Sequence, residues 1–258
     1  MLFFIPDICY LTISSKGAGF YKDALIVLFV RLFGIKRVFH FHNKGVRINQ
    51  GRVLDNLLYS LVFKSADVIL LSKYLYPDVH KYVPENRVHY CPNGIPDVQV
   101  ESRKSKVESK SGEHFLAPPV APQILFLSHL IESKGVFMLV EALNIIKERG
   151  LSFHCTMIGG EGDVTEDQMR KKIEKSGLIG YIDVAGKKYG EEKQKAFRRA
   201  DIFVHPTFND CLPLVLLEAM QNYLPIVSTP EGAISDVVED GISGFLVPQR
   251  DAPALAEK

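Results

Sequence analysis

Asp201–Val227 reads DIFVHPTFNDCLPLVLLEAMQNYLPIV, and this stretch decides the fold. The apolar run Ile202–Val204 is long enough for a buried strand. A polar loop, Pro206 to Asp210, separates it from an apolar helix over about Leu212 to Asn222. A second buried run follows at Leu224–Val227. Strand, loop, helix, strand is the repeating unit of a doubly wound α/β sheet. Asn209 or Asp210 can cap the helix, and Pro213 suits its first turn, where a missing N–H costs nothing. The backbone N–H groups of Cys211, Leu212 and Leu214 are then expected at the mouth of the crevice, a ready anion site. Glu218 stands among apolar neighbours in LVLLEAM. It reads either as a partly exposed helix carboxylate or as a buried one. Burial requires partners, and ligand hydroxyls suit an ionised carboxylate, which only accepts hydrogen bonds.

The same stretch resembles the signature of retaining, nucleotide-sugar-dependent glycosyltransferases of family 4: an acid, seven residues, then Glu. Here the acids are Asp210 and Glu218, and Pro213 stands where that family usually has Gly. The likeness continues through STPEGAISDVVEDGISGFLVP without a gap as far as Pro248. It implies the GT-B fold, with two Rossmann-like domains facing each other across a cleft. It also implies that the second acid grips the donor's ribose and the first contacts the donor sugar. Asp210 is one methylene shorter than Glu, which reduces its reach by about 1.5 Å. A role as helix cap remains an alternative for it.

Upstream, a second domain opens with a strand at Gln123–Ser128 and a helix at Val136–Arg149. Val136, Leu139, Val140, Leu143 and Ile146 recur at helical spacing and are assigned to the core. Between the two lies LSHLIESKG, similar to the family's diphosphate-binding segment. Lys134 matches the family's lysine. His129 holds the place of its arginine, and a histidine offers no bidentate fork and no lasting charge near neutral pH. A solvated loop lysine is the alternative for Lys134. A strand at Phe153–Ile158 ends in Gly159-Gly160-Glu161-Gly162. This lacks the spacing of a dinucleotide fingerprint, so a tight turn is its plain reading. By resemblance, Gly160 borders the nucleotide. A helix over about Thr165–Ser176, a strand at Ile182–Ala185 and GKKYGEEKQKAFRRA complete the segment. His205 is assigned to the core.

The first half also alternates, as a parallel sheet requires. Strands are expected at Ile8–Ser14, Arg37–Phe41, Asp67–Leu71 and Val88–Tyr90, with helices over about Phe20–Phe33 and Leu54–Lys64. HFHNKG places His42 beyond a strand's carboxyl end, where open sheets hold ligands. The resemblance places a family histidine there, so His42 reads either as a catalytic residue touching donor or acceptor or as a structural one. His40 is assigned to the core. PNGI resembles the end of the family's first domain, and SSKGAGFYKDALIVLF resembles its bacterial polysaccharide-assembly branch.

Composition bounds these readings. With 258 residues, 47% hydrophobic, and a formal net charge of +1, the chain can bury real cores and carries no bulk positive charge for nucleic acid. Cys9, Cys91, Cys155 and Cys211 are scattered, which points to a reduced, cytoplasmic chain without a metal-binding cysteine cluster. No run approaches the roughly 18–20 apolar residues of a membrane span. ESRKSKVESKSGEH and PPVAP read as a linker over 101–122, between domains at 1–100 and 123–258. Both ends read as shortened relative to the family: the opening strand with its Gly-rich loop and the closing helices are expected to be absent. No metal-binding text appears, and the resemblance implies neither metal nor cofactor.

The expected function is metal-independent transfer of a hexosyl unit, with retention, from a nucleotide-sugar to a polysaccharide or lipid-linked acceptor. The acceptor would lie near His42 and the SSKGAGF loop, with peripheral contact at the inner face of the plasma membrane. Two alternatives stand: a non-catalytic fragment with residual nucleotide binding, and a sugar-nucleotide epimerase of similar fold, which would release nucleotide without an acceptor.

Overall fold

A computed structural model describes residues 6–97 and 121–258. The expected linker, 101–122, lies outside them except for its last two residues. Internal contacts divide the chain into two units: Met1–Asn93 with Asp210–Leu212, and Gly94–Asn209 with Pro213–Lys258. In the first, the Asn93 side-chain amide donates to the Leu212 carbonyl (3.1 Å).

The described part of the first unit holds strands β1 (Ile8–Thr12), β2 (Lys36–Phe41), β3 (Asp67–Leu70) and β4 (Val88–Tyr90). They form one parallel sheet in that order. Helix α1 (Gly17–Leu32) follows β1. The short α2 (Val46–Asn49) and the longer α3 (Val53–Phe63) follow β2, and α4 (Tyr76–Val79) follows β3. Phe20 of α1 packs against Tyr59 of α3, their ring centroids 4.5 Å apart, and Phe63 continues the aromatic layer. The opposite side of α1 exposes Leu25, Ile26, Phe29 and Leu32, and edge strand β1 exposes Ile8 and Tyr10. His40, expected in the core, is half-buried instead. It lies near the end of β2, where exposed Tyr10 reaches it from β1.

The second unit is built on a six-stranded parallel sheet. Its strands are β5 (Gln123–Leu127), β6 (His154–Ile158), β7 (Ile182–Val184), β8 (Ile202–His205), β9 (Ile226–Ser228) and β10 (Gly244–Leu246). Their order is β10-β9-β8-β5-β6-β7. The helices are α5 (Val136–Glu148), α6 (Glu166–Lys175), α7 (Gly190–Arg199), α8 (Leu214–Gln221), α9 (Ile234–Val237) and α10 (Ala252–Ala256). Two apolar clusters flank the sheet. One gathers Leu139 and Leu143 of α5 with Met169 of α6. The other gathers Phe197 of α7 with Leu216 of α8 and Phe203 of β8. Of the apolar positions expected to bury α5, Val136, Leu139, Val140 and Leu143 are buried, and Ile146 packs partly exposed against them. His205 is buried as expected. Thr165 caps α6 by a reciprocal box with Gln168 rather than opening the helix itself.

The helix of the signature stretch starts later than expected, at Leu214. Its N-cap is Pro213, in extended conformation, and no side chain caps it, so neither Asn209 nor Asp210 takes that role. The cause is local: proline disfavours helical geometry in the residue before it, which excludes Leu212 from the first turn. The strand that follows begins at Ile226, after Pro225, which cannot donate to a ladder.

Candidate functional site: the crevice at the sheet's switch point

Strand order places β5 beside β8, although β5 connects onward to β6 and β8 to β9. The two connections leave in opposite directions, which makes the carboxyl ends of β5 and β8 the switch point where open α/β sheets bind ligands. The loops there are fastened together. Phe208 N–H donates to the Ser133 carbonyl (2.7 Å), and Thr207 Oγ1 donates to the same oxygen (3.2 Å). Thr229, after β9, donates its hydroxyl to the Thr207 carbonyl, and Ser228 donates to the His205 carbonyl (2.6 Å).

Gly135 makes one of these approaches possible. Its φ is +76°, and a Cβ there would lie 1.9 Å from the Pro206 carbonyl oxygen. Gly159 plays a matching part on the other side, since its Cβ would lie 1.7 Å from the Ser128 carbonyl oxygen. Neither position tolerates a side chain unless backbone moves. Gly160 is buried, accepts a bond from Leu130 N–H (2.8 Å), and is covered by the Lys187 side chain. It is thus a site of close packing rather than a simple turn.

Lys134 is half-buried, and its ammonium donates to the Asn209 carbonyl (3.0 Å), in the loop after β8. His129, after β5, is exposed. Leu214 is exposed and is the first residue of α8, so its N–H lies at the helix start. Cys211 and Leu212 differ: their side chains are buried and their backbone belongs to the loop before Pro213, not to the helix. They and half-buried Asp210 group with the first unit.

Glu218 sits in the second turn of α8. One carboxylate oxygen, Oε1, accepts from Lys193 Nζ of α7 at 2.7 Å. The other, Oε2, is buried and has no hydrogen-bond partner among the described residues. The helix backbone is pinned beneath it, because Asn222 donates both its N–H and its side-chain amide to the Glu218 carbonyl. Lys193 was not singled out in the sequence. A signal for it exists, since it precedes buried Phe197 by four residues and so shares the core-facing side of α7.

In the first unit, His42 is exposed just beyond β2, its ring centroid 4.2 Å from that of His40. Burial, and then the neighbouring His42, hold the His40 imidazole below its ordinary pKa. Tyr10 Oη lies 2.6 Å from His40 Nδ1. The loop is tied down from two directions. Asn43 bridges to Ser15 N–H (2.7 Å) and the Ile13 carbonyl (3.1 Å), which couples it to the SSKGAGF segment. Asp78 accepts the N–H groups of Gly45, Val46 and Arg47. Asp78 was likewise not foreseen.

Residues 121–258 match the family model described as glycosyl transferases group 1. The chain belongs to the group 1 glycosyl transferases. It is 36% identical over 140 residues to the amylovoran biosynthesis glycosyltransferase AmsK of Erwinia amylovora, covering 52% of this chain and 34% of that protein. It is 28% identical over 234 residues to the putative colanic acid biosynthesis glycosyltransferase WcaL of Salmonella typhimurium, covering 87% of this chain and 54% of the relative. This group 1 chain therefore spans about half the length, or less, of these curated relatives. Among solved structures, it is similar to the Anabaena protein HepE in complex with UDP (TM-score 0.75, 18% identity, 97% of this chain and 67% of that one). It is also similar to a sucrose-phosphate synthase from Thermosynechococcus elongatus (TM-score 0.76, 17% identity, 97% and 63%). The parallel α/β architecture is that of the GT-B glycosyltransferases. No described helix is long and apolar enough to cross a membrane.

Proposed function

We propose that this chain takes part in transferring a hexosyl unit from a nucleotide-sugar to a glycan or lipid-linked acceptor during polysaccharide assembly, with retention of configuration. The observation that carries the reading is the fastened pair of loops at the switch point. It brings Lys134 against the signature loop, with Glu218 on the helix that follows. Family membership, the similarity to the glycosyltransferases AmsK and WcaL, and the UDP bound in HepE support it.

In this reading Glu218 accepts the donor's ribose hydroxyls. Lys134 and the N–H groups at the start of α8 receive the diphosphate, with His129 beside them and Gly160 bordering the nucleotide. The bond between the anomeric carbon and the diphosphate breaks with its electron pair going to the diphosphate oxygen, the acceptor hydroxyl oxygen bonds to that carbon on the same face, and the hydroxyl proton passes to the departing diphosphate. The developing phosphate charge meets a lysine and a helix start, electrostatic stabilisation that needs no metal. Asp210 orients the sugar. His42 and the Asn43-coupled SSKGAGF segment serve the acceptor. Peripheral membrane contact belongs to the same reading, supported by the apolar residues that α1 exposes. A cytoplasmic setting, suggested by the scattered cysteines, belongs to the same reading.

Titration calorimetry with UDP, GDP and ADP tests the donor side. Glu218→Ala removes charge-assisted hydrogen bonds worth about 1.5–3 kcal/mol each, so affinity for the bound nucleotide should fall about tenfold or more. Unchanged affinity would sink the ribose role.

A further inference from the structure

Lys193 lies outside the signature, yet it makes the closest contact to the signature's glutamate. The two side chains are 24% and 20% exposed, and the bond is 2.7 Å long. Lys193 reaches Glu218 from α7 because Phe197 and Leu216 bury their helices in one apolar cluster. The ion pair leaves the carboxylate half used. Oε1 is committed to the ammonium, while Oε2 is enclosed by protein with nothing donating to it among the described residues. A buried carboxylate oxygen without a donor forfeits its hydration, and native sites with such a group commonly await a water or ligand. A lysine on one oxygen also fixes the torsion of the whole group, so the position of the second oxygen is set by the first.

We infer that Lys193 is a positioning residue for the nucleotide: it clamps Glu218 by one oxygen and thereby presents the other to a ligand hydroxyl. This inference rests on the reading of Glu218 given above. It makes two demands that a structural lysine would not. Lys193 must act only through Glu218, and its effect must concern the nucleoside rather than the phosphates.

The test is titration calorimetry of UDP and of uridine, or of GDP and guanosine, or ADP and adenosine, whichever nucleotide binds. It compares the unaltered chain with Lys193→Met, Glu218→Ala, the double variant and Lys193→Arg. Lys193→Met should weaken nucleotide and nucleoside by the same factor, about tenfold. In the Glu218→Ala background it should add nothing, and Lys193→Arg should recover most of the loss. Three results would overturn the inference: unchanged binding in Lys193→Met, an equal loss with or without Glu218, or a loss confined to the phosphorylated ligand. The last would make Lys193 a direct phosphate contact. If Glu218→Ala itself leaves affinity intact, the ribose reading fails first, and that outcome is visible independently of Lys193. Should Lys193→Met not fold, Lys193→Gln keeps a donor without the charge. It must then show the same dependence on Glu218, and a loss independent of Glu218 would again overturn the inference.

Discussion

At the scale of single residues, the donor-side crevice is shaped as much by what two glycines lack as by what charged residues supply. A Cβ at Gly135 would meet the Pro206 carbonyl, and the left-handed backbone there is strained for any other residue. Gly135→Ala should therefore cost roughly 1–3 kcal/mol in urea denaturation and should also weaken nucleotide binding, because the loop carrying Lys134 must retreat. Unaltered stability would show that the contact relaxes freely. That Lys134 lies in a loop between a strand and a helix was legible in the sequence. The reason for the adjacent glycine was not, because it depends on a carbonyl some seventy residues away in sequence. Lys193 stayed hidden for a related cause. Its partner lies on another helix, and a lysine within a charged helix carries no local mark beyond its spacing from Phe197.

At the scale of elements, continuous apolar runs located the central strands of the second unit, which are buried on both faces, and helical spacing of apolar residues located α5. Val88–Tyr90 agrees residue for residue with its strand. Boundaries moved where proline or capping chemistry intervened, as at Pro213 and Thr165. Short elements such as α2, α4 and α9 carry too few residues for any period to emerge. Their positions follow from distant bonds, as with Asp78, whose carboxylate holds the start of α2. Helix α3 has a comparable long-range duty. Its fully buried Tyr59 donates to the buried Ser15 carbonyl at 2.6 Å and so anchors the segment after β1. Burial, and then Asp55, raise the Tyr59 phenol well above its ordinary range, so it remains a donor at any working pH. Tyr59→Phe should leave that carbonyl unsatisfied and lower stability by about 1–3 kcal/mol, read as a fall in melting temperature. A variant as stable as the parent would mean that water replaces the hydroxyl.

At the scale of the molecule, the order β10-β9-β8-β5-β6-β7 is the feature from which the rest follows. It puts the loops after β5 and β8 side by side, and no local reading of the chain could have established that neighbourhood. If the nucleotide binds there, amide exchange should slow at residues 128–135, 206–209 and 214–218 when it is added. Protection confined to other loops would place the site elsewhere. The wedging of the β5 loop, against Pro206 on one side and Gly159 on the other, also bears on time rather than on place. A segment held by backbone contacts at both flanks has little freedom to swing, so the nucleotide meets a seat that is already assembled. In stopped-flow mixing, binding should appear as one exponential phase whose rate climbs linearly with nucleotide concentration. No plateau should betray a slow closure.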